Sequence, residues 1–150
     1  MNIRTQVEIA GVTLKNPVMT ASGTFGSGME YGQLVGLERL GAVVTKGVAL
    51  VPWKGNPAPR IAETACGMLN AIGLQNPGLD VFMERDLAFL AGVDTRVIVN
   101  VCGHSREEYC EAAKRLGEDP RVSMLEINIS CPNVKEGGIA FGQDPREAFA

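Results

Sequence analysis

The stretch Glu126-Ile127-Asn128-Ile129-Ser130-Cys131-Pro132-Asn133 decides how this chain is read. Leu125, Ile127 and Ile129 alternate with Glu126, Asn128 and Ser130. A period of two marks a strand with two unlike faces. One face is apolar and suits packing under helices. The other carries Glu, Asn and Ser, an unusual load for a plain core. Cys131 stands before Pro132, which disfavours the helical region for the residue ahead of it, so Cys131 is expected to be extended just past the strand end. Pro132 has no N–H and cannot continue a central ladder. Val134-Lys135-Glu136-Gly137-Gly138 then reads as a polar, flexible loop. A thiol is thus set between two carboxamides where a strand opens into a loop. Its reference pKa of about 8.5 lies far nearer neutrality than that of a serine hydroxyl, so it is suited to take a proton. A small buried Cys at a strand end is the plainer alternative.

Other strands lead up to this one. Val18-Met19-Thr20-Ala21 ends at Ser22-Gly23, Ala42-Val43-Val44-Thr45 ends at Lys46-Gly47, and Arg96 to Val101 carries Asn100 near its end. Helices are expected between them. Glu30 to Leu40 has Leu34, Leu37 and Leu40 spaced by three and a stop at Gly41. Gly78 to Leu90 puts Leu79, Phe82, Met83, Leu87 and Leu90 on one side. Ser105 with Glu108 forms a capping box that opens a helix running to about Leu116. Asp144 caps a further helix starting at Pro145. Ahead of all this, Val7 to Leu14 alternates around Ala10-Gly11 and reads as a short hairpin. Strand and helix alternating in this way predict parallel βα units, as in a β/α barrel or an open doubly wound sheet. Between Val48 and Pro77 lies a long segment rich in Pro and Gly, expected to be a functional or mobile loop.

The expected strand ends share a property. Ser22, Lys46, Asn100 and Asn128 are all polar. Ala42, Val44 and Lys46 share one face, as do Ile98 and Asn100, and Glu126 and Asn128. In a parallel barrel the inward faces converge and the chemistry sits at the carboxyl-terminal rim. Amides and a lysine gathered there need partners, and a polar ligand would supply them. Lys46 would offer a positive charge to an anionic substrate or to charge developing on a reduced flavin. Asn70-Ala71-Ile72-Gly73-Leu74-Gln75-Asn76 adds carboxamides, which donate and accept at once and suit the imide-like edges of a ring. A polar loop with a turn glycine remains the plainer reading of it. Glu126 is expected to be structural, deeper than Asn128 and satisfied by a partner inside the barrel.

Composition excludes several classes. Net charge is −3 and aromatics are 5 %, so the chain has neither a basic footprint for nucleic acid nor a base-stacking surface. No apolar run is long enough to span a membrane, and the first residues lack the apolar core of a signal peptide, so a cytoplasmic location is expected. Cys66, Cys102, Cys110 and Cys131 contain no CxxC spacing, and His104 is the single histidine, so no metal site is expected. Cys66, Cys102 and Cys110 are expected to pack, and His104 to lie on the surface or in a capping region. Gly26 and Gly28, with Gly23 and Gly32, lack the spacing of a dinucleotide loop. Trp53 and Arg60 are either a lid or partner surface, or plain loop packing.

Five motifs in order resemble the dihydroorotate dehydrogenases: Asn16 to Gly26, Thr45-Lys46-Gly47, Gly55 to Arg60, Asn70 to Leu74, and Asn128 to Asn133. The opening block and the cysteine at the base position are similar to the NAD-linked, class 1B catalytic subunits. The resemblance implies an FMN-dependent (β/α)₈ barrel that oxidises dihydroorotate to orotate in pyrimidine synthesis. Residues 1–150 would be the N-terminal portion of that single domain, about its first four βα units after a short hairpin. It implies Cys131 as the base at C5. It implies Asn70, Asn128 and Asn133, Lys46, and backbone from Ala71 through Ile72 and Gly73 to Leu74 on the substrate. It implies Ala21, Ser22, Gly23, Lys46, Gly47, Asn100 and Asn128 on FMN, and Val134 to Gln143 as a lid. It also implies a homodimer within a heterotetramer, with a partner iron–sulfur flavoprotein subunit carrying FAD and a 2Fe–2S cluster. A barrel needs about 250 residues, so a shorter half would expose strand edges and hold FMN poorly. A flavin barrel acting on another dihydropyrimidine, a non-catalytic half-barrel module and, distantly, a metal-binding regulator are the other readings.

Overall fold

The computed structural model describes residues 4–131 and 139–149. The chain opens with the expected hairpin: β1 (Val7–Ile9) pairs antiparallel with β2 (Val12–Leu14). Its turn residues, Ala10 at φ 47° and Gly11 at φ 79°, are both left-handed, which matches the twist of a two-residue hairpin turn. Three further strands, β3 (Ala42–Val44), β6 (Arg96–Val101) and β7 (Met124–Ile127), form a parallel sheet in the order β3-β6-β7. The predicted strand at Val18 to Ala21 is reduced to one parallel bridge from Met19 to Ala42, continued by the Thr20 hydroxyl on the Val44 carbonyl.

Strands β3 and β6 bury both faces, and alternation along them assigns each side chain to one face. Val43, Val97, Val99 and Val101 pack with Leu79, Phe82, Leu87, Leu90, Ala112 and Leu116 on the helical side. Ala42, Val44 and Ile98 face the other way and are covered by Leu14, Val7 and Val12 of the hairpin together with Met124. The hairpin therefore closes one end of the inward face.

Helices take the expected positions with two corrections. Gly78 to Leu90 is helical as α1 (Leu79–Val81), a π turn (Phe82–Asp86) and α2 (Leu87–Ala91). In α3 (Arg106–Gly117) the Ser105 hydroxyl accepts from the Glu108 N–H at 3.3 Å, while the Glu108 carboxylate accepts from the His104 N–H at 2.7 Å. The reciprocal arm of the cap thus lands one residue early. Asp144 accepts from the Arg146 N–H at 2.8 Å and so caps α5 (Pro145–Phe149), as expected. Glu30 to Leu40, however, is no α-helix. It forms two 3₁₀ turns, Tyr31–Gln33 and Leu37–Arg39, separated at Gly36, which is extended at φ −61° and ψ 106°. Leu37 and Leu40 are buried while Leu34 is 81 % exposed, so the leucine spacing reports two separate turns.

The long segment is the second correction. It contains an antiparallel hairpin, β4 (Ile61–Thr64) with β5 (Gly67–Asn70), every residue of which is exposed. With neither face buried, no apolar alternation announced it. Finally, β7 stops at Ile127, so Asn128 lies just beyond the ladder and not within it. Part of the loop predicted from Val134 to Gln143 is the short helix α4 (Ile139–Gln143); the rest, with Asn133, lies outside the described residues.

Candidate active site

The carboxyl ends of the sheet strands carry the polar groups that the sequence placed there. On the inward face, Val44, Ile98 and Met124 stand in register, and one step further Asn100 stands opposite Glu126. An apolar layer therefore gives way to a polar one. Asn100 is 3 % exposed; its Nδ2 donates to the Glu126 carboxylate at 2.5 Å and its Oδ1 accepts from Asn128 Nδ2 at 3.2 Å. Glu126 thus has the inward partner expected of it. Asn128 is fixed on three sides: its N–H donates to Val101, its carbonyl accepts from the Tyr109 hydroxyl of α3, and its Oδ1 accepts from the Ser130 N–H. The chain then runs directly to Cys131, which is half-buried. A Cβ on Gly142 of α4 would collide with the Ile129 carbonyl, so that helix lies against the segment leading to the thiol.

Lys46 and Gly47 sit in a bulge. From the pair Val44–Ile98 to the bridge Val48–Val101, this strand advances four residues (48 − 44) and its partner three (101 − 98). An extra residue of this kind bends a strand and re-aims its side chains. Thr45, fully buried, accepts from the Asn100 N–H at 3.4 Å and closes the gap. Gly47 lies so close to the rim that an added Cβ would be 3.0 Å from Asn100 Oδ1, 3.4 Å from Leu74 Cδ1 and 3.5 Å from Cys102 Sγ. Among the described residues the half-buried Lys46 ammonium has no hydrogen-bond or ion-pair partner.

Cys102 connects these parts. It packs with Ala49, Trp53 and Leu74, as a packing cysteine should. Burial, helped by Cys131 and opposed by the Lys46 charge, pushes its thiol up to about 12.

The segment Asn70 to Leu74 reaches the same place from the exposed hairpin. The Ala71 carbonyl accepts from Asn56 Nδ2 at 2.9 Å and the Ile72 carbonyl from the Asn56 N–H at 3.0 Å. Gly73 (φ 75°) and Leu74 (φ 54°) are both left-handed, and their N–H groups find no acceptor among the described residues. Ala21, Ser22 and Gly23 form a turn closed by Thr24 N–H on the Ala21 carbonyl, and among the described residues they make no hydrogen bond to the Asn100 cluster. Asn70 ends β5 and is exposed.

Trp53 and Arg60 serve the loop itself. Trp53 is buried and stacks on His104 at 3.9 Å, and Arg60 holds Gln75 at 2.6 Å. Asn76, which the sequence reading counted among the loop carboxamides without giving it a role of its own, is buried, and its side chain is hydrogen-bonded to Ala49, Leu74 and Gly78. Asn76-Pro77-Gly78 is a turn signature that could have flagged it. No group of three or more potential metal ligands occurs among the described residues, and none of their helices is long and apolar enough to cross a membrane.

A parallel sheet with its polar residues gathered at the carboxyl ends of the strands is the arrangement of β/α proteins that bind ligands at that rim. Comparison with known proteins narrows this. The family described as dihydroorotate dehydrogenase matches residues 4–149. The chain is 71 % identical over 144 residues to the dihydroorotate dehydrogenase B (NAD(+)) catalytic subunit of Lachnoclostridium phytofermentans, covering 96 % of this chain and 48 % of that protein. It is 64 % identical over 143 residues to the subunit of the same name from Alkaliphilus metalliredigens, covering 95 % and 47 %. A crystal structure of the Eimeria tenella dihydroorotate dehydrogenase in complex with ferulenol matches with a TM-score of 0.69 at 26 % identity, covering 88 % of this chain and 38 % of that one. The chain belongs to the dihydroorotate dehydrogenase family. It spans about half the length of the curated relatives it matches.

Proposed function

We propose that this chain is the N-terminal part of a catalytic subunit that oxidises dihydroorotate to orotate, a step of pyrimidine (UMP) synthesis. In this reading it supplies about the first four βα units of a (β/α)₈ barrel. Electrons pass to NAD through a partner subunit carrying FAD and a 2Fe–2S cluster, in a cytoplasmic heterotetramer built on a homodimer of catalytic subunits. The observation that carries the reading is the hydrogen-bonded Glu126–Asn100–Asn128 cluster at the carboxyl ends of the parallel strands, with Gly47 packed against it.

FMN is the cofactor that the family implies, and the residues present fit it. The half-buried Asn128 offers a carboxamide suited to an imide edge, and the buried Asn100 holds it in place. Lys46 offers a cation, and Gly47 keeps the rim clear of a side chain. Ala21, Ser22, Gly23, Lys46, Gly47, Asn100 and Asn128 are the residues that would hold it. When bound, FMN supplies the acceptor for the hydride that leaves C6 of the substrate.

The chain's own residues do the rest. Cys131 Sγ takes the proton from C5, which is acidified by the adjacent carbonyl and needs a positioned base. Asn70, Asn128 and Asn133 hold the substrate's amide and carboxylate edges. The free amides of Gly73 and Leu74, with Ala71 and Ile72 before them, suit the carboxylate. Lys46 stabilises negative charge as it develops. The segment that ends in α4, whose Gly142 lies against the Ile129 carbonyl, would shield Cys131 from water.

The test is a visible spectrum of the purified full-length protein before and after anaerobic dihydroorotate. A flavin band that bleaches is the expected result. A flavin that stays oxidised with dihydroorotate but bleaches with dihydrouracil moves the activity to another reduced pyrimidine. A well-folded protein without flavin refutes the enzymatic reading in favour of an assembly module.

A further inference from the structure

The geometry points to Asn76 as the positioning residue that holds the Gly73–Leu74 amides in place for an anionic substrate. This rests on the function proposed above and goes beyond it, because Asn76 itself contacts no residue assigned to catalysis other than Leu74. Asn76 is 5 % exposed, and its hydrogen-bonding groups are used. Its Nδ2 donates to the Leu74 carbonyl at 3.0 Å. Its Oδ1 accepts from the Ala49 N–H and from the Gly78 N–H, each at 3.1 Å. Its main chain exchanges two hydrogen bonds with Trp53, both at 3.1 Å. One side chain therefore ties the substrate loop to the strand extension after Lys46-Gly47 and to the start of α1.

The tie matters because of the backbone it holds. Leu74 is at φ 54°, a conformation that L side chains disfavour, so the loop needs an external clamp to keep it. Gly73 is at φ 75°, and a Cβ there would be 2.8 Å from the Asn56 N–H nitrogen. The carbonyls of Ala71 and Ile72 are bound by Asn56 and that of Leu74 by Asn76. With its carbonyls fixed, the loop leaves the Gly73 and Leu74 N–H groups without an acceptor among the described residues. A donor pair pre-set in this way binds an anion without reorganising, and releasing the clamp costs affinity.

Asn76→Asp tests this in the full-length flavoprotein at pH 8. Two N–H donors onto one carboxyl oxygen favour the ionised form, so the ties to Ala49 and Gly78 persist while the donor to Leu74 is lost. The dihydroorotate KM and the orotate Kd are expected to rise about 10-fold with kcat within about twofold, at unchanged flavin content. Amide exchange at residues 70–75 is expected to quicken in the variant, with exchange in β6 unchanged. Asn76→Ala is expected to act in the same direction and also lower the unfolding midpoint. A merely structural role would lower flavin content and midpoint and leave the KM of the folded protein alone. An unchanged KM, or unchanged exchange at residues 70–75 in Asn76→Asp, overturns the proposal. If the parent's flavin is not reduced by dihydroorotate, the functional reading fails, and the exchange comparison still decides whether Asn76 clamps the loop.

Discussion

Replacing Gly47 by Ala adds one methyl group at the tightest point of the rim. The new Cβ would sit 3.0 Å from Asn100 Oδ1, closer than ordinary van der Waals contact. That oxygen cannot easily retreat, because it accepts from Asn128 Nδ2 at 3.2 Å while Asn100 Nδ2 is held by Glu126 at 2.5 Å. Leu74 Cδ1 at 3.4 Å and Cys102 Sγ at 3.5 Å close the other directions. Overpacking of this kind costs about 1–3 kcal/mol, and turning Asn100 aside would instead forfeit a hydrogen bond worth about 1 kcal/mol. Both routes lead to similar losses, so a destabilisation of about 1–3 kcal/mol is expected from urea unfolding of the full-length protein. Flavin affinity should fall about tenfold or more, since about 1.4 kcal/mol at the site is a factor of ten. Gly117→Ala is the control. It ends α3, its Cβ would meet nothing within 4 Å, and it should be neutral or stabilising by about 0.4–1 kcal/mol. If Gly47→Ala unfolds with the parent and holds flavin as tightly, Asn100 is not fixed and the rim is not the pre-set site described.

Other predictions follow from the same geometry. Cys131→Ser should fold and hold FMN in the full-length protein but slow flavin reduction at neutral pH by at least about 100-fold, read by anaerobic stopped flow; unchanged rates would remove Cys131 as the base. Cys102, buried and pushed up to about 12, should resist thiol reagents in the folded protein at pH 8 while exposed Cys66 and Cys110 react; mass mapping of the labelled peptides decides it. Because that folded-state pKa lies above the ordinary thiol value of 9.0, the contribution of Cys102 to stability is complete below about pH 9 and is lost as pH rises towards 12. Midpoints measured from pH 7 to 11 should therefore fall less steeply in Cys102→Ala than in the parent. Phe82→Ala, at a fully buried site in the helical core, should cost about 3–5 kcal/mol in urea unfolding; a loss below about 1 kcal/mol would mean that the π turn is not packed as described.

How much of this was legible depended on whether one face of a segment is buried. Arg96 to Val101 alternates between the helical and the hairpin side, and its bounds were read correctly. The β1–β2 hairpin announced itself through Ala10-Gly11, and α3 and α5 through Ser105 and Asp144. The β4–β5 hairpin was illegible because both its faces meet solvent, so no periodicity forms. Leu34, Leu37 and Leu40 misled because spacing by three serves a 3₁₀ turn as well as an α-helix, and Gly36 breaks the run between them. Asn76 was illegible as a clamp because its role lies in what it binds at Ala49 and Leu74, which are distant or irregular in the chain.

The bulge at Thr45–Gly47 shows why pattern reading succeeds up to the site and fails beyond it. Even-numbered Ala42 and Val44 face inward. After the extra residue the parity reverses. Val48 pairs with Val101 and joins the helical core, while Ala49 packs with Cys102 on the inward side. In a strand, slipping by one residue exchanges the two faces, so no single period can describe Ala42 to Ala49. The reversal happens where Gly47 fits against Asn100 without a Cβ. The glycine beside the lysine is therefore a condition of the site's geometry: it lets the strand change face without displacing Asn100. That same change of face brings Ala49, whose N–H Asn76 binds, to the back of the Leu74 loop. Lys46, the Asn100–Asn128 pair and the Gly73–Leu74 amides are thus set by one local irregularity, which explains why a methyl group at position 47 is expected to disturb all three.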